Sequence, residues 1–411
     1  NEDGQAIFVS NTLPGDEVLV RTLEKKRNFQ KAEAIEFKKT SPIRQESACP
    51  VVEECGGCQW QEAPYENQII WKKEFIRDAL QKIAQIKIKN DFTFHKSQQT
   101  LAYRTKTLLR GKITDKGIIK LGFFKKKSQE LVGIKNCIVL SDTINLFLKN
   151  LIQNNLKVEA QKFRIHIQEL PIRRNKTTEN LLVLIEQAEG KKKNITALVK
   201  KIQSMKEVAW CSLFPNKHVK LPHFEYDSQD DLTFMTAPGC FQQINFLLNY
   251  SLRKKVKETV KQISEKLKIL DLYCGSGNLS LHLVKEGHEV IGIEINKPSI
   301  LSAQFQLKKN ELKNAHYKAC SSFKFLNEIN FEPKELDIII CDPPRQGMKD
   351  IISNILNLEA KYIIYISCDP TTLARDIKDL SKNYKLVELE GFDLFPQTYH
   401  VETFCLLKRR V

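Results

Sequence analysis

Lys268 to Asn296 reads KILDLYCGSGNLSLHLVKEGHEVIGIEIN. The apolar run Ile269 to Tyr273 predicts a buried strand, Gly275-Ser276-Gly277 a tight turn, and Leu279 to Lys285 a helix. A second apolar run, Val290 to Ile293, closes on Glu294. Strand, glycine turn, helix, strand and terminal acid make the first half of a nucleotide-binding α/β sheet. Glycines let the backbone approach a ligand, and an acid ending the second strand can accept both ribose hydroxyls. A dinucleotide site calls for G-x-G-x-x-G around a pyrophosphate. Here Ser280 stands at the third glycine's position, which suits S-adenosylmethionine, a nucleoside without phosphates. The plain alternative is a βα turn that binds nothing.

The same sheet continues to the end of the chain. Pro298 to Leu312 reads as a helix and His316 to Ala319 as a short strand. Leu336 to Cys341 is a buried strand running into Asp342-Pro343-Pro344-Arg345, and Tyr362 to Ser367 another, running into Cys368-Asp369-Pro370. Open parallel sheets bind ligands at the carboxyl ends of their strands. Tyr273, Glu294, Asp342 and Cys368 all fall at such ends. A carboxylate on a rigid Asp-Pro-Pro turn also occurs in amino-group methyltransferases, which need no cysteine. Cys368 makes the difference, since a thiolate can add to C6 of a pyrimidine and turn C5 into a carbon nucleophile. The C5 proton must then leave, which calls for a base. Glu402 opens the last predicted strand, Thr403 to Lys408, and an antiparallel course puts it at the site's edge. Taken singly, a cysteine after a strand is usually inert packing.

At 411 residues the chain has room for two or three domains. Hydrophobic residues make up 42%, and no apolar run approaches the ~18 residues of a membrane span. With no secretory leader at its start, a cytoplasmic protein is expected. The first residue is Asn1 rather than Met, so the true start is expected upstream. Net charge is +16, spread over Lys25 to Arg27, Lys125 to Lys127, Arg173-Arg174, Lys191 to Lys193, Arg253 to Lys255 and Lys408 to Arg410. Such a surface suits a polyanionic partner, first of all nucleic acid, or is simply a solvated face. Eleven cysteines in a chain without a leader argue for thiols or metal ligands rather than disulfides.

From the start, Ala6 to Val9, Val18 to Leu23 and Ala32 to Phe37 read as strands, the first two joined by the turn Leu13-Pro14-Gly15-Asp16. Several short strands suit a small barrel of the oligonucleotide-binding type. Cys49, Cys55 and Cys58 follow in ACPVVEECGGCQWQ. Structural zinc usually takes two close pairs, whereas three clustered thiols and one distant one favour an iron–sulfur cluster. The fourth ligand must come from elsewhere, and Cys137 is the only other cysteine before residue 211. Pro64 to Ala84 predicts a helix with Ile69, Ile70, Phe75, Ile76, Leu80 and Ile83 on its apolar side and Trp71 in the core. Leu101 to Leu109 and Ile118 to Phe124 predict a hairpin around Asp115-Lys116-Gly117. Phe163 to Leu170 and Leu181 to Gln187 make a second pair, followed by a helix over Ile195 to Met205. His166, His218 and His223 are scattered and compose no metal set.

In its ordered motifs, the Pro14-Gly15 module, cysteine cluster, FQQIN, DLYCGSGN, DPPRQG, SCDPTTLARD and FPQTYHVE, the whole chain resembles the RNA uracil-C5 methyltransferases. It is most similar to those that act on 23S rRNA and carry a TRAM barrel and a [4Fe–4S] cluster. The resemblance implies an N-terminal TRAM-like barrel over 1–46, a central mainly β domain over 47–236, and a Rossmann-like α/β methyltransferase domain over 237–411. By that resemblance Cys368 is the nucleophile and Glu402 the base. Gln243, Tyr273, Asn278, Glu294 and Asp342 match cofactor contacts. Ser321 stands at a further such position, where the family often places Asn or Asp. Cys49, Cys55, Cys58 and Cys137 match the cluster ligands, and the N-terminal module reads as lacking its first strand. The expected product is 5-methyluridine, formed by a monomer on a uridine turned out of an RNA loop. The alternatives are the same reaction on tRNA, cytosine-C5 methylation, and an RNA-binding assembly factor without catalysis.

Overall fold

The structure is a computed structural model that describes residues 6–126, 128–153, 161–171, 180–189, 192–214, 222–227, 232–329 and 331–410. Lys127, Arg173-Arg174, Lys191 and His218, named above, lie outside the described residues.

The chain opens with β1 (Ala6–Ser10), β2 (Glu17–Lys25) and β3 (Phe29–Lys39). β3 lies between the others, parallel to β1 and antiparallel to β2. The three expected strands are present, and the described residues arrange them as an open sheet. Asp16 fastens the turn between the outer strands. Its carboxylate accepts from the Leu13 and Ser41 amides at 2.6 and 2.7 Å and pairs with Arg44.

Next come helix α1 (Tyr65–Lys82) and the three-residue strand β4 (Thr93–His95). Ile69, Ile76 and Leu80 of α1 are buried as the periodicity predicts. Ile70 and Phe75, expected on the same apolar side, are instead 51% and 43% exposed, while Lys72 is wholly buried. The reason is a counter-ion distant in sequence. Lys72 Nζ meets Asp393 at 2.5 Å with both side chains at 0% exposure. A buried charge is tolerable only when paired in this way.

The central sheet contains β5 (Lys106–Ile113), β6 (Ile119–Phe124), β7 (Leu131–Gly133), β8 (Gln161–Glu169), β9 (Leu181–Glu189) and β10 (Val208–Phe214). Their spatial order is β10-β9-β8-β5-β6-β7. Helices α2 (Asp142–Ile152) and α3 (Lys192–Gln203) bury Phe147, Leu148 and Leu198 against Leu109, Ile165 and Val183. The predicted hairpin is present as β5 and β6, but β5 starts at Lys106 rather than Leu101. The residues before it are used elsewhere: the Ala102 and Arg104 amides donate to Ile138 and Val139, beside Cys137. A ribbon of β11 (Phe224–Asp227) and β12 (Thr233–Thr236) follows.

The third region is an α/β sheet of β13 (Lys268–Leu272), β14 (Glu289–Glu294), β15 (Ala315–Ala319), β16 (Ile338–Cys341), β17 (Tyr362–Ser367), β18 (Tyr384–Phe392) and β19 (Glu402–Arg409). Their order is β15-β14-β13-β16-β17-β19-β18, and β4 adds an eighth strand beside β18. The first five are mutually parallel, and β19 runs antiparallel to β17 and β18. Flanking helices are α4 (Phe246–Ile263), α5 (Leu281–Lys285), α6 (Lys297–Lys309), α7 (Ser322–Glu328), α8 (Ile352–Leu358) and α9 (Pro370–Leu380). All four residues of β16 are buried, as befits a strand covered on both faces. α1 packs on α9, and its Ile76, Ala79 and Leu80 join the core of this sheet. The N-terminal half of the chain thereby reaches the carboxyl edge where ligands are expected.

Candidate active site

At that edge the turn after β13 leaves regular geometry. Tyr273, Gly275 and Gly277 have φ of 62°, 56° and 82°. Gly292 of β14 permits a close approach: a Cβ there would lie 2.1 Å from the Tyr317 ring. Tyr317 thus fits beneath the turn, its hydroxyl 2.9 Å from Ser280 Oγ. Gln243, Tyr273, Asn278 and Asp342 line one cavity together with Phe241 and Tyr226. Asn278 is fixed by reciprocal amide bonds to Asn249 at 2.9 and 3.0 Å, a partner the sequence reading missed. Glu294 stands behind the turn rather than in the cavity wall. Its carboxylate accepts from the Gly275 amide at 3.2 Å and the Asn296 amide at 2.7 Å. Ser321 is not brought to this cavity, and its hydroxyl caps α7 by accepting from the Lys324 amide at 3.2 Å. Four of the six expected contacts share a wall, a fifth holds the turn, and the sixth caps a helix.

Cys368 directly follows β17, and Asp369 caps α9 by accepting from the Thr371 and Thr372 amides at 2.9 and 3.0 Å. Pro370 at the first helical turn removes a donor that would have no partner. Glu402 starts β19, where the Ser367↔Thr403 register sets it next to the end of β17. The antiparallel course expected of the last strand is therefore present. Glu402 is 2% exposed, and burial together with the nearby Asp342 raises its carboxyl well above the ordinary range. Burial raises Asp342 too. The Cys368 thiol is pushed up to about 12, first by burial and then by the Glu402 and Asp342 charges, with Arg345 opposing. These three groups sense one another electrostatically, and Glu402 Oε1 has no protein partner.

Outside Cys368 runs a groove walled by Phe75, Lys82, Thr371, Tyr399 and His400. His400 Nε2 lies 3.0 Å from Arg345 Nη2, and burial with the Arg345 charge lowers the imidazole to about 4. It therefore faces the groove neutral at pH 7. The arrangement offers a thiol, a buried acid and a cavity around one edge.

Cys49, Cys55, Cys58 and Cys137 line a second cavity together with Val51, Val52, Phe123, Ile134 and Arg104. All four are free thiols. Burial raises Cys58 to about 11, and Arg104 acts in the opposite direction on Cys58 and Cys137. Asn145 holds the Cys137 backbone at both its N–H and its carbonyl, at 2.9 and 3.0 Å. Among the described residues, no set of three or more His, Cys, Asp or Glu is arranged to hold a single metal ion.

Such a sheet, with a cavity and a cysteine–carboxylate pair at its carboxyl edge, has the architecture of a Rossmann-like methyltransferase. The family model described as tRNA (Uracil-5-)-methyltransferase matches residues 64–410, and the chain belongs to that family of S-adenosylmethionine-dependent RNA uracil-C5 methyltransferases. An RNA methyltransferase of Bacillus cereus is 29% identical over 99% of this chain and 92% of its own length. One of Listeria innocua is 29% identical over 98% and 93%. Among solved structures, the Pyrococcus abyssi tRNA (uracil-54, C5)-methyltransferase with S-adenosyl-L-homocysteine superposes with a TM-score of 0.69. It shares 24% identity and covers 98% of this chain and 95% of its own. At that identity the likeness speaks for the fold. Among the described residues no helix is long and apolar enough to cross a membrane.

Proposed function

We propose that the protein methylates C5 of a uridine in 23S rRNA, with Cys368 as nucleophile and Glu402 as base. The observation that carries this reading is the meeting of Cys368, Glu402 and Asp342 beside the cavity of Gln243, Tyr273 and Asn278. Cys368 gives up its proton to solvent, its thiolate forms a bond to C6 of the unstacked uracil, and the displaced C5=C6 π pair makes C5 nucleophilic. S-adenosylmethionine, when bound, supplies the electrophilic methyl group that C5 takes. Glu402 accepts the C5 proton, the C6–S bond breaks, and the thiolate is released. Burial suits Glu402 to this task, because a carboxylate stripped of water is a stronger base.

Cys49, Cys55, Cys58 and Cys137 fit a [4Fe–4S] cluster: an all-thiol donor set in a largely apolar cavity, with Arg104 to offset the cluster's negative charge. Methyl transfer needs no electron, so the cluster's role is structural. The N-terminal sheet reads as part of a TRAM-like oligonucleotide-binding barrel, and the chain acts as a monomer.

A tRNA uridine is the second reading. The Pyrococcus abyssi tRNA enzyme spans 98% of this chain, so the N-terminal sheet and the cysteine segment both have counterparts within a tRNA enzyme's length. Parallel assays of unmodified 23S rRNA and tRNA with labelled S-adenosylmethionine test the choice. Label as 5-methyluridine in rRNA alone supports the proposal, and label in tRNA alone overturns the target while keeping the chemistry. Cys49→Ser and Cys137→Ser should each lose iron and acid-labile sulfide when purified without oxygen.

A further inference from the structure

The stretch from β18 to β19, residues 393–401, delivers His400 to the groove and Glu402 to the site. Leu394 and Phe395 pack in the core of the α/β sheet, and among the described residues the polar contacts that tie the first half to other parts of the chain come from residues 59–103. Lys72 Nζ takes Asp393 and donates to the Phe395 carbonyl at 3.0 Å. The Tyr103 hydroxyl donates to the Pro396 carbonyl at 3.0 Å. The Gln59 and Trp60 amides donate to the Gln397 carbonyl at 3.0 and 3.1 Å. Gln68, at 0% exposure, closes the set. Its Oε1 accepts from the Gln397 amide at 3.0 Å, and its Nε2 donates to Gln397 Oε1, Trp60 O and Ala63 O at 3.1, 3.0 and 2.9 Å.

Gln397 needs this grip, because its φ of 68° lies in the left-handed region that residues other than glycine seldom adopt. Gln59 and Trp60 directly follow Cys58, while Tyr103 and Thr398 line the cysteine cavity. The cysteine segment and the base-bearing loop are therefore stitched together directly at Gln397, and the buried Gln68 amide bridges Gln397 to Trp60 and Ala63.

We propose that Gln68 is a positioning residue for the catalytic base: it clasps Gln397 to the cysteine segment, and that clasp sets the loop from which Glu402 enters the site. The inference rests on Glu402 being the base. A displaced base leaves addition of Cys368 to C6 intact and slows only loss of the C5 proton, so the methylated protein–RNA adduct should accumulate.

The test compares wild type, Gln68→Met and Gln68→Glu with S-adenosylmethionine and the RNA that the wild type methylates. Methionine keeps the length and loses every hydrogen bond, whereas the protonated glutamic acid keeps one acceptor and one donor. For Gln68→Met we expect kcat to fall at least tenfold with KM for RNA changed less than threefold. Denaturation-resistant adduct should accumulate, and iron content should match wild type. Gln68→Glu should recover activity as the pH is lowered towards 5. Loss of activity without adduct, or loss in step with the folded fraction or iron content, would overturn the clasp, as would unchanged kcat. If Gln68→Met fails to fold, Gln68→Glu must accumulate adduct at pH 8 and lose it as the pH is lowered towards 5. Without that adduct the proposal is wrong. A wild type that methylates no RNA refutes the base assignment rather than the clasp.

Discussion

Cys368 and Glu402 both sit where their charged forms are disfavoured. Burial and two neighbouring carboxylates hold the thiol up to about 12, so without RNA it is protonated at neutral pH. Iodoacetamide alkylation of Cys368 should then keep rising with pH through 10, whereas a plateau near 8.5 would show an ordinary thiol. Asp271, wholly buried on β13, is raised to about 7 by burial and then by Asp342 and Glu294. Its unfolded form titrates near 4, so the folded state holds the extra proton between those values. Its contribution is present below about 4 and is lost as pH rises to about 7. Asp271→Asn should therefore raise Tm by more at pH 8 than at pH 5, and an equal gain at both would contradict the assignment. At this scale the sequence was most legible where strand ends dictated position: Tyr273, Asp342 and Cys368 followed from apolar runs alone. Ser321 shows the limit. Its place after β15 was readable, but its hydroxyl's preference for capping α7 depends on the local turn.

Among the elements, α1 carries the most that periodicity could not supply. Lys72 lies between Ile69 and Ile76 on the inward stripe, which is itself a signal of a buried charge in need of a partner. The partner, Asp393, lies 321 residues away, and separation of that kind is invisible to local pattern. Breaking such a pair by removing one member costs about 3–5 kcal/mol, because the other charge stays buried. Lys72→Met should lower stability by that amount in urea denaturation, and Lys72→Met with Asp393→Leu should regain much of it. A single variant within 1 kcal/mol of wild type would show that the pair does not hold α1 to the loop. β4 escaped the sequence reading for a related reason: three residues at a sheet edge have no period of their own, and only the backbone of β18 defines them.

The whole molecule sets one loop against both the thiol-lined cavity, which Thr398 lines, and the groove at Cys368, which Tyr399 and His400 line. Periodicity and glycine turns sufficed to find the α/β sheet, since each of its parallel strands is a short apolar run. The stitching between the two halves had no sequence signature, because it is built from single polar residues on separate elements. A net charge of +16 predicts RNA binding through phosphates, so affinity should fall steeply with salt. About 10³-fold between 50 and 200 mM is expected if some six phosphates are neutralised. A nearly flat salt response would remove RNA as the charge's partner. The central claim is that Cys368 activates the C5 of a uridine and Glu402 takes its proton. The most direct measurement uses RNA carrying tritium at C5 of uridine and follows label released to water with S-adenosylmethionine present. Wild type should release one tritium per 5-methyluridine formed, Cys368→Ala none, and Glu402→Gln should retain its label in a covalent protein–RNA adduct. Release at the wild-type rate from Cys368→Ala would contradict the account.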